Sequence, residues 1–154
     1  MHTIPHEIFK AYDIRGIVDK TITVGNVEKI GHAIGSEARA RNLTAIAIGR
    51  DGRLSGPELS QALARGIRKS GIDVVDVGMV ATPMLYYAAH ELCQYSGVMV
   101  TGSHNPPEYN GFKIVLGGQT LAAETLQALR LRIENNDLAD GAGNYSEHNI
   151  ANAY

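Results

Sequence analysis

The chain has 154 residues, 44% of them apolar and 19% charged, and a formal charge of −2. That is enough length and apolar content for one domain with its own core, and it excludes an intrinsically disordered chain. The small net charge gives no global reason to expect nucleic acid or an anionic membrane as a partner, although basic groups can still gather around a single phosphate.

In chain order, "DIRGIV" (13–18) reads as a first strand. Val27, Ile30, Ile34 and Ala38 then recur at helical spacing and predict a helix with one apolar stripe. "AIAIG" (45–49) and "IDVVDV" (72–77) are short, apolar runs of the kind found in buried strands. Between them Leu59, Ala62, Leu63 and Ile67 share one helical face. Ser55 and Glu58 have the spacing of a capping box, and Gly71 supplies a stop. A strand–helix–strand unit favours a right-handed crossover and a parallel strand pair. Thr82 and Pro83 open the next helix, "PMLYYAAHELC", which feeds the strand "SGVMVT" (96–101). The run "FKIVL" (112–116) returns after only about ten residues, too few for a helical crossover, so an antiparallel neighbour is expected. Leu126, Leu129 and Ile133 mark a last helix.

Residues 1–136 thus read as a single α/β domain with a mixed, mostly parallel sheet flanked by helices. The polar, glycine-rich stretch 137–154 reads as a linker toward a further domain absent from this chain. Cys93 is the single cysteine; it has no internal disulfide partner and no zinc or redox pattern around it, so it reads as a small apolar residue. His2, His6, His32, His90 and His148 show no ligand spacing. No apolar run approaches the roughly 18 residues of a membrane span, and "MHTIPHEIFK" lacks a signal-peptide core. A cytoplasmic protein without a membrane partner is expected.

The chemistry concentrates in "VTGSHNPPEYNGFK" (100–113). Ser103 stands beside His104, Gly102 lets backbone approach closely, and Pro106 and Pro107 stiffen the loop. Asn105 can donate an amide hydrogen bond, and Lys113 is expected to open the next strand and point back. A serine that carries a phosphoryl group needs this setting, because about −1.5 to −2 charges must be met by converging cations. The same pieces also fit an ordinary polar turn, since Asn-Pro starts turns and a lysine at a strand start is commonly solvated. A serine-hydrolase triad has less support: His104 is merely adjacent in sequence, and no G-x-S-x-G elbow surrounds Ser103. "GRDGR" (49–53) reads as a structural turn in which Asp51 accepts backbone N–H groups and pairs with Arg50 or Arg53.

Read whole, "TGSHNPPEYNGFK" resembles the active-site serine loop of the α-D-phosphohexomutase superfamily, and more narrowly its bacterial phosphomannomutase/phosphoglucomutase branch. "FKAYDIRG" (9–16), "GRDGRLSGPEL" (49–59) and "DVGMVATPMLYYAA" (76–89) are similar to further strings of that branch, in the same order. The phenylalanine–glycine–threonine start of the related phosphoglucosamine mutases is missing. The resemblance implies an N-terminal domain of an isomerase that interconverts hexose 6-phosphate and hexose 1-phosphate, of mannose or glucose, through hexose 1,6-bisphosphate. It implies that Ser103 is the phosphoserine and, through its phosphate, a ligand of Mg²⁺. His104 and Asn105 would shape the loop and contact substrate or phosphate. Lys113 would lie near the reacting hydroxyl as an acid–base candidate, Arg15 would stabilise charge, and Tyr12 would line the cleft. In the family the metal is held by aspartates of a second domain, and this chain has no D-x-D-x-D string. The chain alone is therefore expected to be catalytically incomplete, with hexose phosphates and the remaining domains of the same polypeptide as partners. Two alternatives stay open: a stand-alone sugar-phosphate binding module without phosphoryl transfer, and a structural domain that has lost its chemistry.

Overall fold

The predicted stripe Val27, Ile30, Ile34 and Ala38 is fully buried along one face of helix α1 (Val24–Ala40), whose start is capped by Thr23 accepting the Asn26 N–H at 3.1 Å. These details come from a computed structural model that describes residues 3–150, so the His2 reading lies outside the described residues. Leu59, Ala62, Leu63 and Ile67 are likewise buried on α2 (Gly56–Lys69), and Leu126, Leu129 and Ile133 on α4 (Glu124–Glu134). Helices α1 and α2 pack backbone against backbone: a Cβ on Gly66 would sit 2.1 Å from the Glu28 carbonyl oxygen, which no neighbour can yield. Glu28 then bridges the pair from outside, accepting from Lys69 at 2.7 Å and Arg65 at 3.1 Å. These donors, Lys69 first, hold its carboxyl below the usual range against a smaller opposing effect of burial.

The strands are β1 (Ile14–Ile17), β2 (Ala45–Arg50), β3 (Asp73–Met79), β4 (Gly97–Val100), β5 (Tyr109–Leu116), β6 (Gln119–Thr120) and β7 (Tyr145–Glu147). They form one sheet in the order β1-β5-β4-β2-β3-β7, with β6 pairing β5. The block β4-β2-β3-β7 runs parallel, whereas β5 is antiparallel to both β4 and β1, as its short connection requires. The fold is therefore α/β with a mixed sheet. A larger core fills the space between one sheet face and α1, α2 and α4; it includes Ile14, Ile46, Val98, Phe112 and Ile114. A smaller core, with Ala47, Met99, Leu85 and Ala88, lies under α3 (Thr82–Leu92) on the opposite face. Cys93 belongs to this second core, and burial pushes its thiol up to about 12.

Three local expectations change. Ser55 does not cap α2 with its side chain; its hydroxyl instead accepts from the amide of Asn110, a side chain with no exposure at all on β5. The buried amide needs an acceptor more than the solvated helix end does. Strand β5 opens at Tyr109 rather than at Phe112, so Lys113 lies in mid-strand, paired opposite Met99. Finally, the polar stretch after α4 follows the flank of the domain. The Gly141 and Gly143 N–H groups donate to the carbonyls of Lys69 and Arg68, and Tyr145–Glu147 adds a parallel strand beside β3. Glycine-rich composition here serves close approach: a Cβ on Gly143 would overlap the Ile72 carbonyl.

Tyr145 fastens that added strand. Its hydroxyl donates to Asp76 Oδ2 at 2.5 Å, while Asp76 Oδ1 accepts the Gly78 N–H at 2.8 Å and lies 3.9 Å from Arg50 Nη1. Burial, followed by the bond to the Asp76 carboxylate, pushes the Tyr145 phenol up to about 12.

Candidate active site

Strands β2 and β4 are parallel neighbours, with Arg50 paired to Val100, so the chain leaves both at the same end of the sheet. This brings "GRDGR" beneath the serine loop. Asp51 receives the Arg53 N–H on Oδ1 at 3.2 Å. Its Oδ2 accepts from the Thr101 hydroxyl at 2.8 Å and the Gly102 N–H at 3.2 Å. Thr101 Oγ1 in turn accepts the Ser103 N–H at 2.9 Å. A single carboxylate thus fixes three successive residues of the loop, directly or through one hydroxyl.

Arg53 holds the other side. Its Nη1 donates to the carbonyls of Pro106 (2.7 Å) and Tyr109 (3.2 Å), and its Nη2 to those of Ser103 (3.1 Å) and Asn105 (2.7 Å). The Arg53 side chain is 16% exposed and its Nε lies 3.4 Å from Asp51 Oδ2, so the half-buried charge is paired. Asn105 closes the loop on itself, its backbone N–H and side-chain amide both donating to the Gly102 carbonyl.

In this frame Ser103 has φ 55°, in the left-handed region. That conformation costs a non-glycine residue about 1–2 kcal/mol, and the bonds at its N–H and C=O hold it there. The Ser103 residue is exposed, as are His104, Pro106 and Pro107. Neither the Ser103 hydroxyl nor the His104 ring has a hydrogen-bond partner among the described residues. The loop therefore has a satisfied backbone and an unoccupied hydroxyl.

Arg15, on β1, is paired opposite Gly111, and Lys113 is the next residue but one along β5. Alternation along a strand puts Arg15, Lys113 and Met99 on the same sheet face, the face of α3. Helix α3 packs mainly over β2 and β4, so both cations lie beyond it. Arg15 is held only by a 4.0 Å approach to Asp13, and Lys113 by no ion pair among the described residues. A cavity of about 450 Å³ brings Arg15 together with Asn105, Tyr109 and Lys10. Tyr12 is 76% exposed and does not line that cavity, and neither do Ser103, His104 or Lys113.

The carboxylate and guanidinium under the loop were legible in the sequence as a turn, but their reach into the serine loop was not. Pairing "AIAIG" with "SGVMVT" as adjacent parallel strands is the signal that would have placed them there. No group of three or more His, Cys, Asp or Glu residues among the described residues could hold a metal ion. Asp51, the carboxylate nearest Ser103 in the hydrogen-bond network, already serves Arg53, Thr101 and Gly102. The described residues thus offer no cluster of the six or so oxygens that Mg²⁺ takes.

The chain belongs to the family described as phosphoglucomutase/phosphomannomutase, alpha/beta/alpha domain I, whose pattern it matches over residues 6–140. It is 59% identical to a phosphomannomutase/phosphoglucomutase of Pseudomonas aeruginosa over 99% of its own length and 33% of that protein's. A phosphoglucomutase of Neisseria meningitidis is 56% identical over the whole chain and 34% of the relative. Among solved structures, a phosphoglucomutase/phosphomannomutase family protein of Burkholderia thailandensis superposes with a TM-score of 0.94 at 48% identity, covering 99% of this chain and 35% of that one. The chain therefore spans about a third of the length of the relatives it matches.

Proposed function

We propose that this chain is the phosphoserine-carrying domain of a phosphohexomutase that interconverts hexose 6-phosphate and hexose 1-phosphate, of mannose or glucose. The observation that carries the reading is Ser103: an exposed hydroxyl at the tip of β4, on a loop whose backbone is braced by Asp51 and Arg53. Bracing matters because a phosphoryl group in transfer needs its donor and acceptor oxygens in line. In the forward step a sugar hydroxyl attacks the phosphorus on Ser103. The new P–O bond to the sugar forms as the bond to Ser103 Oγ breaks; the sugar proton passes to a base, and Oγ recovers a proton. The hexose 1,6-bisphosphate so formed returns its other phosphoryl group to Ser103 by the reverse of the same chemistry.

Arg15 and Lys113, on the open sheet face beside the loop, are the cations this chain offers to the transferring charge. A guanidinium fork suits phosphate oxygens, whereas an amine can also move a proton, so Lys113 takes the acid–base role. Asn105 orients phosphate or sugar from the cavity it shares with Arg15; His104 does so from the exposed tip, and Tyr12, outside that cavity, would reach the sugar from the solvent side. Mg²⁺ would take its Ser103 phosphate oxygen from this chain and its remaining ligands from outside it, where it would offset phosphoryl charge. A cytoplasmic setting fits phosphorylated sugar substrates, and no described helix is long and apolar enough to cross a membrane.

The test uses the mutase that contains this chain together with the portions its relatives have beyond it. Ser103→Ala is expected to lower turnover of glucose 1-phosphate, primed with the bisphosphate, by at least about 10³-fold. Intact-mass measurement should find one phosphoryl group on the parent and none on the variant. Ordinary turnover by Ser103→Ala would end the carrier reading. Binding of hexose phosphate without any phosphorylated protein would favour a simple binding module.

A further inference from the structure

We infer that Arg53 is a positioning residue for Ser103, acting as a four-point clamp whose guanidinium occupies the space left by the missing side chain of Gly102. The inference rests on the carrier reading above and adds to it a residue that touches neither phosphate nor sugar. A Cβ built on Gly102 would fall 2.1 Å from Arg53 Cζ and 2.2 Å from Nε. The guanidinium plane therefore lies directly against the loop backbone, where any side chain at position 102 would displace it. From there it reaches four carbonyls that span the whole turn, those of Ser103, Asn105, Pro106 and Tyr109.

The clamp holds geometry rather than supplying charge to the reaction. Asp51 sits 3.4 Å from Arg53 Nε and offsets its charge. The two Nη atoms donate to backbone oxygens, not toward the Ser103 hydroxyl. Four carbonyls pointing inward at one site would repel one another without a donor among them, and the fork of a guanidinium matches their spread as an ammonium cannot. Release of the clamp would free Ser103 from the left-handed conformation that presents its hydroxyl. Displacement of a reacting group by about 1 Å is enough to cost about 100-fold in rate.

The experiment measures kcat and KM for glucose 1-phosphate in the full-length mutase, alongside far-ultraviolet circular dichroism and melting, for Arg53→Lys, Arg53→Ala, Gly102→Ala and the double variant Arg53→Ala/Gly102→Ala. Folded Arg53→Lys and Arg53→Ala are both expected to lose about 100-fold in kcat, with KM moving less than about threefold. Gly102→Ala should reproduce that split, and the double variant should fall no further than the worse single one, because both changes remove the same contact. If Arg53→Ala does not fold, Gly102→Ala and Arg53→Lys decide the matter alone. Full kcat in Arg53→Lys would overturn the clamp in favour of simple charge, as would a loss confined to KM or additive losses in the double variant. An inactive Ser103→Ala with a normal Arg53→Lys sinks this inference and leaves the carrier reading standing; an active Ser103→Ala sinks the carrier reading itself.

Discussion

Two aspartate–arginine pairs stand at the same end of the sheet and serve different purposes. After β2, Arg53 donates to four carbonyls of the serine loop, and Asp51 accepts the loop's Gly102 N–H and Thr101 hydroxyl. Asp76 and Arg50, on β3 and β2, instead bind the domain to its own last strand through Tyr145. The first pair leaves the Ser103 and His104 side chains uncommitted and the loop backbone fixed. The second leaves Arg50 Nε buried without a partner among the described residues, a sign of a junction less completely satisfied. What separates them is what lies within reach: Asp51 meets the serine loop, and Asp76 meets the Tyr145 hydroxyl of the edge strand.

The sharpest way to break that distinction is to neutralise each carboxylate in turn. Asp51→Asn in the full-length mutase is expected to lose about 10–100-fold in kcat, because its amide cannot accept all the donors that Asp51 accepts. Asp76→Asn should leave kcat within about twofold and lower stability by about 1–3 kcal/mol, read from urea unfolding. Equal effects on turnover from both would erase the contrast.

A smaller effect is expected from Tyr145→Phe, about 1 kcal/mol near neutral pH, since the bond to Asp76 and the exposed one accepted from Gln61 are lost while Asp76 keeps others. The sign of its pH dependence follows from the raised phenol. Stability held by a group whose folded pKa is raised is present below the unfolded value of 10.0 and lost as pH rises toward about 12. The difference between parent and Tyr145→Phe should therefore shrink across that alkaline window, and a difference that grows there would contradict the bond to Asp76.

The smallest effect belongs to Glu28, on the helical layer remote from both pairs. Glu28→Gln should cost less than about 1 kcal/mol, as partly exposed ion pairs do. Because the Glu28 carboxyl is held low by Lys69 and Arg65, its contribution is present above the ordinary carboxylate range and lost on acidification through the folded value. Melting of parent and variant should converge at acid pH, with kcat unchanged throughout.

Periodicity made the helical layer readable, because α1, α2 and α4 each bury one stripe and nothing in their surroundings overrides it. Connection length was enough to set the direction of β5. The N-terminus of α2 was misread because a local capping pattern competes with a distant buried amide, Asn110, that sequence spacing cannot show. The added strand β7 was hidden by its composition: glycines and polar residues imply a free segment until one sees how closely Gly143 lies against Ile72. At the site, the exposed residues of the serine loop were visible as a string. The clamp was not, since Arg53 and Pro106 are far apart in sequence and meet only when β2 and β4 lie side by side.

The outermost strands of the main sheet order are short, β1 with four residues and β7 with three. Few amide and carbonyl groups are thus left open along either border, and Glu147 puts a charge on the β7 side. An incoming chain finds too little template there to extend the ladder. Such short borders disfavour edge-to-edge extension of the sheet, independently of whatever chemistry its serine performs.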